Sequence, residues 1–212
     1  PPWDASPDAG GATCHPLEMG VVEHSELGPG NANSLVVTPE LLFVGTESEH
    51  GLFVLRTEDL TLLEQYDKDD LGGNPQDMVF YNGDLYISLG AWGAQVVRMT
   101  FDSATGALLD DEPLWEQSET RAERIFRNDD GLYLLTKDSS LNAAHIIAMA
   151  TPPKDVALMG CSPGAILVED GIAHVACSRY FLRLDLTSPD LPSEIQVSSA
   201  CDGPLCINVS CS

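Results

Sequence analysis

The sequence predicts an all-β fold of about four repeated units, each with four short antiparallel strands, stabilised by disulfides. From residue 34 onward, short runs rich in Val, Ile, Leu, Phe and Tyr recur in a fixed order. Gly, Asp, Asn and Pro separate these runs, as expected of turns between strands. No segment has the 3.6-residue periodicity of an amphipathic helix. A recurrence of roughly 40 to 50 residues per four strands is typical of β-propeller blades.

The second strand of each unit carries the clearest repeat. It begins at Leu41, Leu85, Leu132 and Ala173, so successive starts are 44, 47 and 41 residues apart. In the last three units a short polar turn comes before it: Asn82-Gly83-Asp84, Asp129-Asp130-Gly131 and Asp170-Gly171. These residues tolerate a positive φ, and the turns therefore predict tight β-hairpins.

The remaining strands of each unit follow from the same alignment. The predicted first strands are 34–38, 77–81, 124–127 and 165–168. The predicted third strands are 51–56, 95–101, 145–150 and 180–186. The predicted fourth strands, which are more polar, are 61–66, 108–115, 155–159 and 194–198. Together these strands predict four blades of four antiparallel strands each.

The composition of the chain divides it into three parts. Residues 1–16 are rich in Pro, Asp and Gly and form an arm or tether, because such a segment buries too little apolar surface to offset its ordering entropy. Residues 17–200 form the β-propeller-like repeat domain, and residues 201–212 form a Cys-rich C-terminal clip. The chain starts at Pro1 without an initiator Met or a hydrophobic signal region, so we expect that an upstream segment has been cleaved or was never ordered.

The charge of the chain restricts its partners. It has 33 acidic and 10 basic residues, a formal net charge of -23 and a pI of about 4.1. Binding to nucleic acid or to anionic lipid by general electrostatics is therefore not expected. No apolar run approaches the roughly 20 residues that a membrane helix needs, so we also expect no membrane span.

The cysteines point to an oxidising compartment. There are six, and no two are spaced as Cys-x-x-Cys, which favours disulfides over a zinc or redox site. We therefore expect a secreted, periplasmic or cell-surface protein. Cys161 and Cys177 flank the first hairpin of the fourth unit and are predicted to bond to each other. A bond from Cys14 to Cys201, Cys206 or Cys211 would clip the two ends of the repeats together, although six cysteines allow 15 connectivities.

Two segments resemble known repeats. Residues 74–79 with 83–88 (NPQDMV and GDLYIS) are similar to the Pro-x-Asp and Leu-Tyr-Val elements of bacterial surface propellers with YVTN-type repeats. Residues 171–176 with 182–189 (GIAHVA and LRLDLTSP) resemble the LVIVD repeat. The resemblance covers about 160 residues and is weakest in the third unit. It implies extracellular scaffolding or binding and transfers no catalytic residue. Four blades would form either a closed ring, as in the haemopexin-like fold, or part of a larger assembly.

An acidic segment between the first two units is a candidate metal site. It is not an EF-hand, because Leu71 and Met78 replace the fifth and twelfth ligands of that loop. A looser calcium site remains as an alternative to a solvated loop, since hard cations take carboxylate oxygens from flexible loops. Its candidate ligands are Asp67, Asp69, Asp70 and Asp77. Copper bound by dispersed histidines is a less favoured alternative.

Two further features are candidate binding sites. Arg121, Arg124 and Arg127 form the only basic cluster, and they predict either an anion site or local neutralisation by the acidic residues around them. Trp92 lies on a loop between strands, where an exposed aromatic ring stacks on a sugar or on another protein, or packs between blades.

No residue pattern indicates a catalyst. Residues 160–164 (GCSPG) match the Gly-x-Ser-x-Gly nucleophile elbow, but that motif needs a helix after the serine and the sequence continues as a strand. We therefore predict a non-catalytic extracellular binding or structural surface protein that binds a protein, a glycan or copies of itself in an oligomer or filament. The alternatives are a metal-binding secreted protein, with calcium favoured over copper, and a propeller-type lyase or hydrolase.

Overall fold

The structure is a computed structural model, and it describes residues 31–47, 49–90, 94–117, 120–128, 131–138, 143–149, 154–177, 180–188, 192–198 and 208–210. These residues are nearly all β and form four sheets. Sheet I contains β1 (Ala32–Val37), β2 (Leu41–Thr46), β3 (Leu52–Arg56) and β4 (Leu62–Tyr66). A short helix, α1 (Lys68–Leu71), connects it to sheet II. Sheet II contains β5 (Pro75–Tyr81), β6 (Asp84–Leu89), β7 (Ala94–Phe101) and β8 (Leu108–Gln117).

The second half of the chain forms two sheets of unequal size. Sheet III contains β9 (Arg121–Asn128), β10 (Gly131–Asp138), β11 (Ala143–Ala148) and β12 (Lys154–Met159), and it is extended by β16 (Glu194–Ser198) and β17 (Asn208–Ser210). Sheet IV contains β13 (Pro163–Glu169), β14 (Ile172–Cys177) and β15 (Tyr180–Asp185). The β12–β16 pair is parallel, whereas neighbouring strands elsewhere in the described sheets are antiparallel.

The hairpin turns explain why the predicted strand pairs form. Asn82 and Gly83 join β5 to β6 with φ values of 51° and 93°, and Asp170 and Gly171 join β13 to β14 with φ values of 51° and 71°. Asn, Asp and Gly adopt such angles at little cost, and two consecutive positive φ values match the twist of a tight hairpin. These two hairpin predictions are confirmed.

The last unit departs from the prediction. Residues 194–198 form a strand, β16, but it pairs in parallel with β12 of sheet III and not with β15. The prediction that residues 194–198 form the fourth strand of this unit is therefore wrong. Four four-stranded blades are not confirmed, because the described sheets have four, four, six and three strands. Side-chain and backbone contacts hold the returning segment at β12. Lys154 Nζ donates to the carbonyls of Leu186 and Ser188 at 2.9 and 3.0 Å, and Ile195 is buried in the core.

The four sheets pack face to face in chain order. Phe43 of sheet I packs with Met99 and Phe101 of sheet II, and Val96 of sheet II packs with residues of sheet III. Sheets III and IV share the largest core, which includes Ile146 and Val175. The first strands of successive sheets contact one another in the order β1, β5, β9, β13. Among the described strands, β13 makes no comparable contact with β1.

A disulfide joins Cys161 to Cys177, as predicted, and both residues are buried in the core between sheets III and IV. It fastens the start of β13 to the end of β14. The other predicted disulfide residues, Cys14, Cys201, Cys206 and Cys211, lie outside the described residues. In the part of the chain that the structure describes, no helix is long and apolar enough to cross a membrane.

Candidate functional site

The side of sheet IV that faces away from sheet III is the strongest candidate site. Side chains alternate between the two sides of a strand, so Val168, Val175 and Leu182 point into the core and are buried. Their neighbours Leu167 and Phe181 point to the opposite side, where they are 50% and 61% exposed. We call this opposite side the outer face of sheet IV. It consists of Ala165, Leu167, Glu169, Ile172, His174, Ala176, Phe181, Arg183 and Asp185.

The centre of the outer face of sheet IV is an apolar hollow. The hollow has a volume of about 350 Å³, and Leu167, His174, Ala176 and Phe181 line it. The rings of His174 and Phe181 lie 5.8 Å apart between centroids. Its apolar lining makes the outer face of sheet IV a candidate interaction surface.

One edge of sheet IV is also unpaired among the described strands. In sheets I, II and III the third strand pairs with a fourth, namely β4, β8 or β12. The corresponding strand of sheet IV, β15, has no fourth strand beside it in the described residues, because β16 lies on sheet III. Such an edge presents unpaired backbone N–H and C=O groups to an incoming strand. Within the part of the chain that the structure describes, sheet IV is thus open both on its outer face and at the β15 edge.

The sequence contains a signal for this face that the strand assignment did not use. Residues 165–168 (AILV) are apolar without interruption, as in a strand buried on both sides. A strand with one side in water alternates apolar and polar residues instead. Leu167 and Phe181 are therefore apolar residues of the type found in a core, but they lie at exposed positions.

The three predicted arginines lie on β9 and have separate partners. Arg121 Nη2 donates to Gln76 Oε1 at 2.8 Å and lies 3.4 Å from Glu47 Oε1. Arg124 Nη1 donates to the carbonyl of Glu123 at 2.8 Å. Arg127 lies over the ring of Tyr81, 3.9 Å from its centroid. The contacts of Arg121 and Arg127 join β9 to residues of the first half of the chain, whereas the contact of Arg124 lies within β9. They do not test the predicted anion site, which stays a prediction. Trp92 lies outside the described residues.

The four predicted calcium ligands lie in two different settings. Asp67 accepts a hydrogen bond from Gln65 Nε2 at 3.0 Å just before α1, and Asp69 and Asp70 lie within α1. Asp77 lies on β5, where its carboxylate already accepts two backbone hydrogen bonds. Within the described ranges, no three His, Cys, Asp or Glu side chains are placed to hold a metal ion. Calcium binding stays a prediction.

Asp77 connects two sheets. Its Oδ1 accepts from the N–H of Met78 at 3.0 Å and its Oδ2 accepts from the N–H of Ile125 on β9 at 3.1 Å. Burial raises the pKa of the Asp77 carboxyl above its ordinary 3.8, while the two N–H groups and Arg124 act in the opposite direction. The Pro-x-Asp element of the sequence therefore links sheet II to sheet III.

Ser162 of the elbow-like motif lies in a turn that leads into β13. The nucleophile elbow requires a helix at this point, and the chain forms a strand. The turn instead carries Cys161 into its disulfide. The geometry around Ser162 gives the elbow interpretation no support.

The structure also shows an ionisable pair that the sequence analysis did not identify. His145 on β11 and Asp155 on β12 lie beside each other, with His145 Nδ1 3.1 Å from Asp155 Oδ1. The hydrogen bond to Asp155 raises the pKa of His145 above 6.5, against the effect of burial. The two residues are ten apart in sequence, and only the register of β11 and β12 brings them together.

Replacing Asp155 with Asn should lower the pKa of His145, because the negative partner is lost. A His pKa that is higher in the folded protein stabilises the fold below pH 6.5 and loses this contribution as the pH rises through the folded pKa. The free energy of unfolding of wild type should therefore exceed that of Asp155→Asn by more at pH 5.5 than at pH 9. NMR titration of the histidine ring protons measures the pKa, and a His145 pKa unchanged by the substitution would show that the pair is not formed.

Comparison with known proteins is informative about the fold alone. No family model matches the chain, and no curated protein matches it in sequence. A solved structure of a protein of unknown function from Bacteroides caccae is similar at a TM-score of 0.52 and 17% identity, over 77% of this chain and 59% of that one. The present chain thus spans less than two thirds of the length of that protein.

Two further solved structures are similar to this chain in fold. The computationally designed Ika4 protein has a TM-score of 0.54 and 11% identity, over 79% of this chain and 99% of that one. The WD40 domain of SCAP from fission yeast has a TM-score of 0.44 and 14% identity, over 68% of this chain and 39% of that one. The order and packing of the described sheets are consistent with a propeller-like all-β fold. No family match supports the particular repeat type that the sequence resembles.

Proposed function

We propose that this chain is a non-catalytic structural protein of the cell exterior that associates with copies of itself through sheet IV. One observation carries the proposal, namely the open outer face of sheet IV with Leu167 and Phe181 exposed at its centre. Burying one such side chain contributes about 1.5 to 3 kcal/mol, so covering this face drives association. The β15 edge, which has no partner strand among the described residues, adds backbone hydrogen-bonding groups beside it.

The location outside the cytoplasm is part of the proposal. The disulfide between Cys161 and Cys177 supports it, because structural disulfides persist in oxidising compartments. The net charge of -23 supports a protein that stays soluble while it exposes apolar surface. We interpret sheets I to IV as four successive propeller blades, the last of which has three strands among the described residues.

A pair of glutamate substitutions tests this function. Phe181→Glu places a charge on the outer face of sheet IV, and Leu109→Glu does the same at the 64% exposed Leu109 of sheet II. We expect wild type and Leu109→Glu to form larger particles as the concentration rises, and Phe181→Glu to remain at the chain mass of 22.8 kDa. Sedimentation equilibrium measures the particle mass.

Circular dichroism controls for folding. Both variants should have melting temperatures close to that of wild type, because both substituted positions are exposed. If all three proteins stay monomeric, or if the two variants weaken association equally, sheet IV is not an association surface and the proposal is wrong.

A further inference from the structure

A small cavity lies where helix α1 packs against sheet II. Its volume is about 170 Å³, and residues of β4, α1, β7 and β8 line it, so it shares no residue with the hollow on sheet IV. Pockets for drug-sized ligands have volumes of about 300 to 1,000 Å³. The cavity in sheet II therefore admits a group about as large as one amino-acid side chain.

One wall of this cavity is apolar and well packed. Leu71, Val97 and Met99 line it, and all three are buried in the core that sheets I and II share. Tyr66 completes the wall, and its hydroxyl accepts a hydrogen bond from the backbone N–H of Leu108 at 2.9 Å. These contacts hold the wall in place, so the cavity is preformed for a short aliphatic chain.

Two carboxylates line the same cavity, Asp70 from α1 and Asp111 from β8. Both residues are exposed to solvent, so they lie toward its opening. The register of β7 and β8 places Asp111 opposite the buried Met99. Asp111 is therefore a carboxylate on the side of sheet II that packs against sheet I.

The basic residues of the four lining elements are paired elsewhere. Arg98 Nη2 lies 2.8 Å from Glu112 Oε2, a neighbour of Asp111 that projects to the other side of β8. Lys68 Nζ lies 2.6 Å from Glu49 Oε2. In the part of the chain that the structure describes, the Asp70 and Asp111 side chains have no ion-pair partner.

Gln95 of β7 adds a third oxygen to the lining. A Cβ placed on Gly72, directly after α1, would lie 3.3 Å from Gln95 Oε1. The amide oxygen of Gln95 therefore lies beside the end of the helix that carries Asp70. The cavity thus combines an apolar wall with three groups that accept hydrogen bonds.

This combination matches a primary alkylammonium ion. Such an ion has three N–H donors, and Asp70, Gln95 and Asp111 supply acceptors for them. We infer that the cavity binds the ammonium group of a short aliphatic primary amine, with the aliphatic chain against Val97 and Met99. This inference goes beyond the proposed function and does not depend on association through sheet IV.

Other cations fit this lining less well. Calcium takes six to eight oxygen ligands, whereas the cavity offers two carboxylates and one amide beside an apolar wall, and it includes only Asp70 of the four predicted calcium ligands. A quaternary ammonium ion has no N–H donor and is bound by a cage of aromatic rings. Among the described lining residues, Tyr66 is the single aromatic side chain.

An NMR titration of the full chain with n-butylamine tests the inference. The backbone amide signal of Leu71 and the side-chain amide signals of Gln95 should shift and saturate, with a Kd in the millimolar range for so small a ligand. Asp70→Asn and Asp111→Asn should each weaken binding about fivefold, because each removes one charge-assisted hydrogen bond. Asp69→Asn is the matched control, since it changes the net charge equally from a position on α1 outside the lining, and it should change Kd less than about twofold.

Two further probes determine the ligand class. n-Butanol has the same chain without the charge and should bind about tenfold more weakly than n-butylamine. Nα-acetyl-lysine methylamide presents the same ammonium group on a lysine side chain. Saturable shifts with this probe would extend the ligand class to lysine side chains of other proteins, and their absence would restrict it to free amines. Either result agrees with the inference.

Three results would overturn the inference. n-Butylamine might produce no saturable shift at Leu71 and Gln95, in which case the cavity is not an amine site. Equal weakening by all three Asp→Asn variants would mean that the net charge of -23 attracts the amine without a specific site. Equal binding of n-butanol would mean that the apolar wall alone acts. These results leave the proposed function untouched, because particle mass tests it separately.

Discussion

Removing the disulfide by the double substitution Cys161→Ala and Cys177→Ala should lower the free energy of unfolding by about 2 to 4 kcal/mol. The bond closes a loop with a sequence separation of 16 residues and so restricts the unfolded chain. The cost is large relative to a domain stability of about 5 to 15 kcal/mol. Sheet IV is most affected, because it has only three strands in the described residues and the bond fastens two of them.

Urea denaturation followed by circular dichroism measures this loss. Alanine is the better replacement, because a serine hydroxyl would be left without a partner in the apolar core and would add its own cost. The double serine variant should therefore be less stable than the double alanine variant. A double alanine variant within about 0.5 kcal/mol of wild type would show that the bond does not stabilise the fold.

Asp77→Ala should lower the free energy of unfolding by about 2 to 3 kcal/mol at neutral pH. The substitution removes two charge-assisted hydrogen bonds and leaves the buried N–H of Ile125 without its acceptor. Asp77→Asn retains one acceptor oxygen and should lower the free energy of unfolding by about half as much. Asp111→Ala, at an exposed position on β8, is the control and should change stability by less than about 0.5 kcal/mol.

The pH dependence of Asp77 provides a second test. Since the pKa of Asp77 is raised in the folded protein, protonation favours folding. The stability of wild type relative to Asp77→Asn should be greatest below pH 3.8 and should fall as the pH rises through the folded pKa. Urea titrations of both proteins between pH 3 and pH 7 measure this difference. A difference that grows with pH would mean that the two N–H groups, and not burial, dominate at this site.

The strands were predictable where turn chemistry determines them. Asn82-Gly83 and Asp170-Gly171 require positive φ at both positions, and this requirement sets the register of the hairpins without reference to the rest of the chain. The Cys161–Cys177 bond followed from the same register, because Cys177 ends the strand that pairs with Pro163. Local geometry was sufficient in both cases.

The partner of β16 was not predictable in this way. Residues 194–198 have the pattern of a strand, but a pattern of polarity does not identify the neighbouring strand. The choice depends on contacts distant in sequence, such as Lys154 Nζ with the carbonyl of Ser188 and the backbone N–H of Ala157 with the carbonyl of Ser193. Helix α1 escaped prediction for another reason, since four residues are too few to show a 3.6-residue period.

The candidate site was also beyond the sequence analysis, which chose charged and aromatic residues. The outer face of sheet IV is made of ordinary apolar residues, and only the packing shows that Leu167 and Phe181 lie on the uncovered side. Asp77 was selected as a metal ligand, whereas the structure places its carboxylate on the N–H groups of Met78 and Ile125. A carboxylate's partners depend on which sheet packs beside it, and this information is not local.

Sedimentation equilibrium of the wild-type chain over a range of concentrations, at 20 mM and at 500 mM NaCl, tests the central claim most directly. Copies with a net charge of -23 repel each other, and salt screens this repulsion while leaving apolar contact intact. Self-association through sheet IV predicts a weight-average mass that rises above 22.8 kDa with concentration, and rises further at the higher salt. A mass that stays at 22.8 kDa under every condition would contradict it.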